Sequence, residues 1–164
     1  MVERDETDFE AFVGAVSPRL LSLAWLLTGE RGREEDLVQE ALVRVYAAWP
    51  GIDPGGSVNY TRRVLLNLHS RDQRRRGREV LSAEPPDRAA TDSTDGIAEA
   101  DRLSTALRDL PLRERQCVAL RHHADLSEAT VAELLGVNVG TVKSSTSRGL
   151  ARLRATLSEA GILR

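Results

Sequence analysis

The sequence predicts an all-α chain of two small helical domains joined by a flexible acidic linker, the second domain containing a helix-turn-helix. Three observations predict it. Apolar residues recur at steps of three and four along most of the 164 residues; no segment shows the two-residue alternation of a half-buried strand; and one internal stretch has no sustained apolar period. That stretch, residues 79–97, contains Pro85, Pro86, Gly96 and several acids, and reads as the linker. It separates a domain over residues 1–78 from one over residues 98–164. A flexible segment of about 20 residues has a root-mean-square span of roughly 25 Å and a limit of roughly 70 Å, so the domains can touch well-separated sites on one partner.

In the first domain, Phe9, Phe12, Val13, Val16, Leu20, Leu23, Ala24 and Leu27 mark one apolar face, with Ser17-Pro18 placed to cap and restart a helix and Gly29 and Gly32 to end it. Leu37, Val38, Ala41, Leu42, Val45, Tyr46 and Trp49 form the stripe of a second helix. Pro50-Gly51 and Pro54-Gly55-Gly56 make a loop. A third helix starts near Ser57 and buries Val58, Val64, Leu65 and Leu68. After the linker, Leu103, Ala106, Leu107 and Leu110 form a short helix stopped at Pro111, and residues 115–121 a second one. Ser127 is the expected N-cap of a third helix, Gly136 its left-handed stop, and Asn138 the cap of a fourth. Its inner face is expected to be Val139, Val142, Leu150 and Leu153. Two short helices joined by a tight turn with Gly make a helix-turn-helix.

Composition excludes several classes of function. The longest apolar run, Leu20 to Leu27, is broken by Ser22 and falls far short of the roughly 18 residues of a membrane span. The amino terminus lacks the basic start and apolar core of a secretory signal, so a cytoplasmic location and no membrane contact are expected. The single cysteine, Cys117, allows neither an internal disulfide nor a thiol metal cluster, and it reads as a small core residue. His122 lies five residues from it, off the shared helical face that a thiol and its base would need. No glycine-rich phosphate loop is present, so the chain is read as non-catalytic, with no metal or cofactor.

Charge is segregated. Residues 1–40 hold ten acids and four bases, residues 62–78 seven arginines and one acid, Asp72, and residues 79–101 seven acids and one arginine. A basic block between acidic blocks points to a local polyanion contact, against the bland alternative of a solvated helix end. The outward face of the last helix presents Thr141, Lys143, Ser144, Ser145, Ser147 and Arg148. Short polar side chains let a helix settle into a major groove, and Lys or Arg reaches phosphates and guanine edges.

Glu35-Asp36-Leu37-Val38-Gln39-Glu40-Ala41-Leu42, then Tyr60 through Asn67 leading into Arg74-Arg75-Arg76, then Leu110-Pro111 through Arg115, and Leu126-Ser127 through Gly140-Thr141-Val142-Lys143-Ser144 together resemble the extracytoplasmic-function (ECF) group of bacterial sigma-70 factors. The resemblance covers nearly all of the chain outside the linker. It implies that the first domain is sigma region two and the second region four, and that the partners are bacterial core RNA polymerase (beta-prime and beta subunits) and promoter DNA. An anti-sigma protein is a further candidate partner. It also implies that Asp36, Gln39, Glu40 and Arg44 bind polymerase. Tyr60, Arg62, Arg63, Asn67, His69, Arg71, Arg74 and Arg75 would face the minus-10 element, and the outward face of the last helix the minus-35 element. The loop from Trp49 to Ser57 is where the family captures a flipped base. The competing readings are a dimeric helix-turn-helix regulator that is not a polymerase subunit, and a helical adaptor that binds only protein.

Overall fold

The computed structural model describes residues 4–80 and 95–162. Seven α-helices follow one another: α1 Glu6–Thr28, α2 Arg33–Ala48, α3 Ser57–Val80, α4 Asp95–Arg108, α5 Leu112–Val118, α6 Glu128–Leu135 and α7 Val139–Glu159. Tight 3-10 turns at Trp49–Gly51 and Pro54–Gly56 lead into α3, and a π-helical turn, Ala119–His123, extends α5. There is no strand among the described residues, as the apolar periods predict. Helix enters both ends of the expected linker, whose interior, residues 81–94, lies outside the described residues.

α1 begins with a reciprocal cap. Asp5 accepts from the Asp8 amide at 2.9 Å while the Asp8 carboxylate accepts from the Asp5 amide at 3.3 Å. The restart expected at Ser17-Pro18 does not occur, because α1 runs straight through Pro18. An internal proline costs about 3 kcal/mol, but the stripe Val16, Leu20, Leu23, Ala24 and Leu27 stays in phase across it and is buried. Breaking the helix would have withdrawn that face from the core. α1 alone among the described helices has the length and hydropathy of a membrane span, yet here it packs against α2, α3 and α4.

Packing of the first block ends in an aromatic cluster of Phe9, Phe12, Tyr46 and Trp49, with ring centroids 4.9 to 6.5 Å apart. The Arg4 guanidinium stacks 3.5 Å above Trp49 and donates to the Ile52 carbonyl at 2.9 Å and the Ser57 hydroxyl at 2.8 Å. One arginine thus ties the amino terminus to the loop before α3.

In the second block, the expected helix-turn-helix forms with its expected caps. The Ser127 hydroxyl accepts from the Thr130 amide at 3.1 Å, Gly136 turns the chain at φ 65°, and Asn138 accepts from the Thr141 amide at 2.7 Å. α5 lies so close to α7 that a Cβ on Gly149 would meet Val118 Cγ2 at 2.7 Å. That contact requires glycine.

The two blocks also pack on each other. α1 lies against α4 and the π turn, and α3 against α6, so one apolar core joins Leu27, Leu65 and Leu66 to Leu120, Val131 and Leu134. Polar bonds cross the same seam. Arg115, 5% exposed, donates to Leu27 O of α1 at 2.9 Å and, within its own block, to Arg108 O at 3.0 Å and Leu110 O at 3.2 Å. Gln116 Nε2 donates to Ser70 Oγ at 2.8 Å. Arg108 reaches Gly29 O and Glu30, each at 3.4 Å. Cations over the last carbonyls of α1 satisfy groups that a helix leaves unpaired and oppose its dipole.

Candidate nucleic-acid and polymerase interfaces

Asp36, Gln39, Glu40 and Arg44 are all exposed on α2. Steps of three and four put Asp36, Gln39, Glu40 and Val43 on one face. Arg44 pairs with Glu40 at 2.8 Å. Val43 is 68% exposed and Tyr46 50%, so an apolar centre stands within a charged rim, the composition of a protein-docking face. Val43 was not singled out from the sequence because it lies outside the core stripe.

The α3 candidates divide. Arg63, Asn67, Arg71, Arg74 and Arg75 are exposed, and Tyr60 and Arg62 are half-buried. Tyr60 packs against the cluster of Val45, Trp49 and Ile52. Burial, then the nearby Arg19 charge, lowers the pKa of Arg62 from its usual range, and Arg62 donates to Asn59 at 3.0 Å. Arg63 reaches across the seam to Glu133 of α6 at 3.8 Å. His69 has to be corrected: it is fully buried, with Nε2 at 3.1 Å from Leu27 O. Burial, then the Arg115 charge, pushes its pKa down to about 4, against a smaller opposing effect of the Leu27 bond. A neutral interior ring has no base edge to read here. The signal was present, since His69 follows Thr61 and Leu65 at steps of four on the inward stripe.

Asp72, the lone acid in the basic block, is structural. It pairs with Arg33 and, at 3.8 Å, with Arg76. Glu30 completes the network, holding Arg33 at 3.2 Å, Arg76 at 3.3 Å and Arg108 at 3.4 Å. Three helices and a turn are thereby charge-matched.

On α7, Lys143, Ser144, Ser147 and Arg148 are exposed and Thr141 is half-buried. Ser145 is the second correction. It is 2% exposed and hydrogen-bonds Cys117, whose thiol burial pushes up in pKa. The inner face of α7 is Val142, Ser145, Gly149 and Leu153, whereas Val139, expected inside, is 39% exposed. Sequence reasoning missed Glu114. Its side chain is only 7% exposed and meets the Arg148 guanidinium at 3.5 Å and that of Arg152 at 3.2 Å. Lys143 leans on Glu128 at 3.7 Å. The cations of the outer face are therefore held in place by acids from α5 and α6.

Residues 12–79 match the family model of sigma-70 region 2, and residues 100–153 that of sigma-70, region 4. A chain carrying both regions in this order has the plan of a sigma-70-type initiation factor. An RNA polymerase sigma-E factor of Streptomyces avermitilis is 37% identical over 96% of this chain and 89% of that relative. The ECF RNA polymerase sigma factor SigE of Mycolicibacterium smegmatis is 34% identical over 86% of this chain and 58% of its own length. Among solved structures, the sigma factor RpoE of Bartonella quintana, crystallised with the anti-sigma factor NepR, superposes with a TM-score of 0.79 at 26% identity, covering 92% of this chain and 97% of that one. The chain belongs to the extracytoplasmic-function group of the sigma-70 family: it is an RNA polymerase sigma factor, which directs core polymerase to promoters.

Proposed function

We propose that the three faces divide the work of initiation. The α2 face of Asp36, Gln39, Glu40, Val43 and Arg44 docks on core polymerase. The exposed α3 residues Arg63, Asn67, Arg71, Arg74 and Arg75, with Tyr60 and Arg62 beside them, hold the opened minus-10 strand. Thr141, Lys143, Ser144, Ser147 and Arg148 of α7 read minus-35. The observation that carries this reading is the outer face of α7, short and polar around cations that Glu114 and Glu128 already orient. The chain performs no chemistry of its own in this reading; polymerase supplies the metal and the bond-forming step. An anti-sigma protein, the kind of partner in the RpoE–NepR complex, is a further proposed regulator.

Docked blocks cannot serve both promoter elements. A compact body of this length has a radius of gyration of about 15 Å, whereas minus-10 and minus-35 lie about 25 base pairs, roughly 85 Å, apart along a duplex. The docked body is therefore the unengaged form, and loading on polymerase parts the seam.

The test is co-elution with bacterial core polymerase followed by promoter-dependent transcription. Lys143→Ala and Arg148→Ala are expected to weaken promoter use at unchanged core affinity and to reduce the salt slope of promoter binding by about 0.9 each where a phosphate contact is lost. Gln39→Ala and Glu40→Ala are expected to weaken core binding first. Unchanged transcription from both α7 variants would overturn the minus-35 assignment.

A further inference from the structure

We propose that the cleft at the seam between α3 and the α5–α6 pair binds a compact polyphosphate anion, about the size of a nucleoside polyphosphate. Asn67, Ser70, Arg71 and Arg74 of α3 meet Arg113 of α5 and Leu135 of α6 around about 300 Å³, and none of the described residues lining the cleft is acidic. That volume is at the lower end of small-molecule sites.

Charge accounting sets this cleft apart. Elsewhere at the seam Arg33, Arg76 and Arg108 share Glu30, Arg63 reaches Glu133, and Arg115 donates to three main-chain carbonyls. Arg71 and Arg74 pair with no acid among the described residues, and Arg113 has only a 3.5 Å contact to Gln116 Oε1. Docking thus gathers three guanidiniums with no carboxylate paired to them among the described residues, although like charges brought together repel. A phosphate-rich anion removes that repulsion, and the planar guanidinium fork matches phosphate oxygens two at a time. The Gln116–Ser70 bond of 2.8 Å holds the two walls together beside Arg113.

DNA phosphates have the same chemistry, but the docked arrangement favours the small ligand. Arg113 joins Arg71 and Arg74 only when the blocks are together, so the complete site is absent from the extended, promoter-bound form. A ligand that needs both walls stabilises the docked state by mass action. It would therefore slow loading on polymerase, a consequence that rests on the function proposed above; the binding does not.

Scanning calorimetry of the full-length protein with sodium triphosphate at constant ionic strength tests the site. The expected result is a saturable Tm increase of a few degrees, lost in Arg113→Gln, weakened in Arg113→Lys and kept in Arg154→Gln, which alters an exposed arginine of α7. An equal increase in Arg113→Gln, or one reproduced by sodium sulfate, overturns the proposal. An Arg113-dependent increase with a single-stranded oligonucleotide but none with triphosphate assigns the cleft to DNA and also overturns it. If Arg113→Gln alone lowers the starting Tm, loss of the triphosphate effect in a correctly folded Arg113→Lys still supports the site, and full retention there counts against it. In a separate arm, triphosphate should slow core-polymerase assembly of the wild-type chain but not of Arg113→Gln; saturable binding without that effect leaves the site and removes its regulatory role.

Discussion

The interior of the helix-turn-helix block and the seam between the blocks are both buried, but they are built differently. α5 and α7 meet through Val118, Gly149 and Leu153, so closely that a single added carbon would collide. The seam combines leucines with a guanidinium that donates to main-chain carbonyls. Two of Arg115's three acceptors, Arg108 O and Leu110 O, stay with it if the blocks part. The third, Leu27 O, keeps His69 of its own block. Opening the seam leaves neither partner wholly unsatisfied, whereas opening α5 from α7 takes from Glu114 both of its ion-pair partners.

The largest effect that sharpens this contrast is acid sensitivity. The His69 pKa is lowered in the folded chain, so His69 contributes stability in full above the unfolded value of about 6.5 and loses it as pH falls to about 4. That loss is on the order of 3 kcal/mol. Chemical denaturation from pH 7 to 4 should show it, and His69→Phe should flatten this part of the profile; an unchanged slope would reject the buried neutral ring. Next is Gly149→Val, which forces the α5–α7 contact apart and should cost roughly 2 to 3 kcal/mol in urea unfolding while region two keeps its helicity. A neutral result would mean the two helices are not in contact.

Arg115→Met should cost about 2 kcal/mol, the scale of hydrogen bonds from a charged donor, and should enlarge the hydrodynamic radius by freeing the seam. If stability falls without expansion, the role of Arg115 lies within its own block. The smallest change in stability is expected for Glu114→Gln, under about 1 kcal/mol because both arginines are largely exposed. Promoter binding should nevertheless weaken several-fold, since Arg148 loses its orienting charge. Equal affinity in a gel-shift titration of the polymerase complex would show that Arg148 needs no orienting.

Much of the candidate site was legible because it is local. Asn138, Ser127 and Gly136 act within a few residues of themselves, and their caps and turn appear where the sequence places them. His69 and Ser145 were misplaced by phase. Both were read as polar and hence outward, yet each stands at a helical step from buried neighbours, where the ring's Nε2 bonds Leu27 O, its Nδ1 being left without a partner among the described residues, and the Ser145 hydroxyl bonds Cys117. Glu114 was missed because its partners are 34 and 38 residues further along the chain.

By itself the sequence determined helix positions, their caps, the two regions and the segregation of charge, since each depends on side chains a few residues apart. Only the tertiary structure decided that α1 crosses Pro18 unbroken, that region four rests on region two, and that Arg71, Arg74 and Arg113 share one cleft. Those outcomes depend on burial and on charges distant in sequence, and no local period records which surfaces will meet.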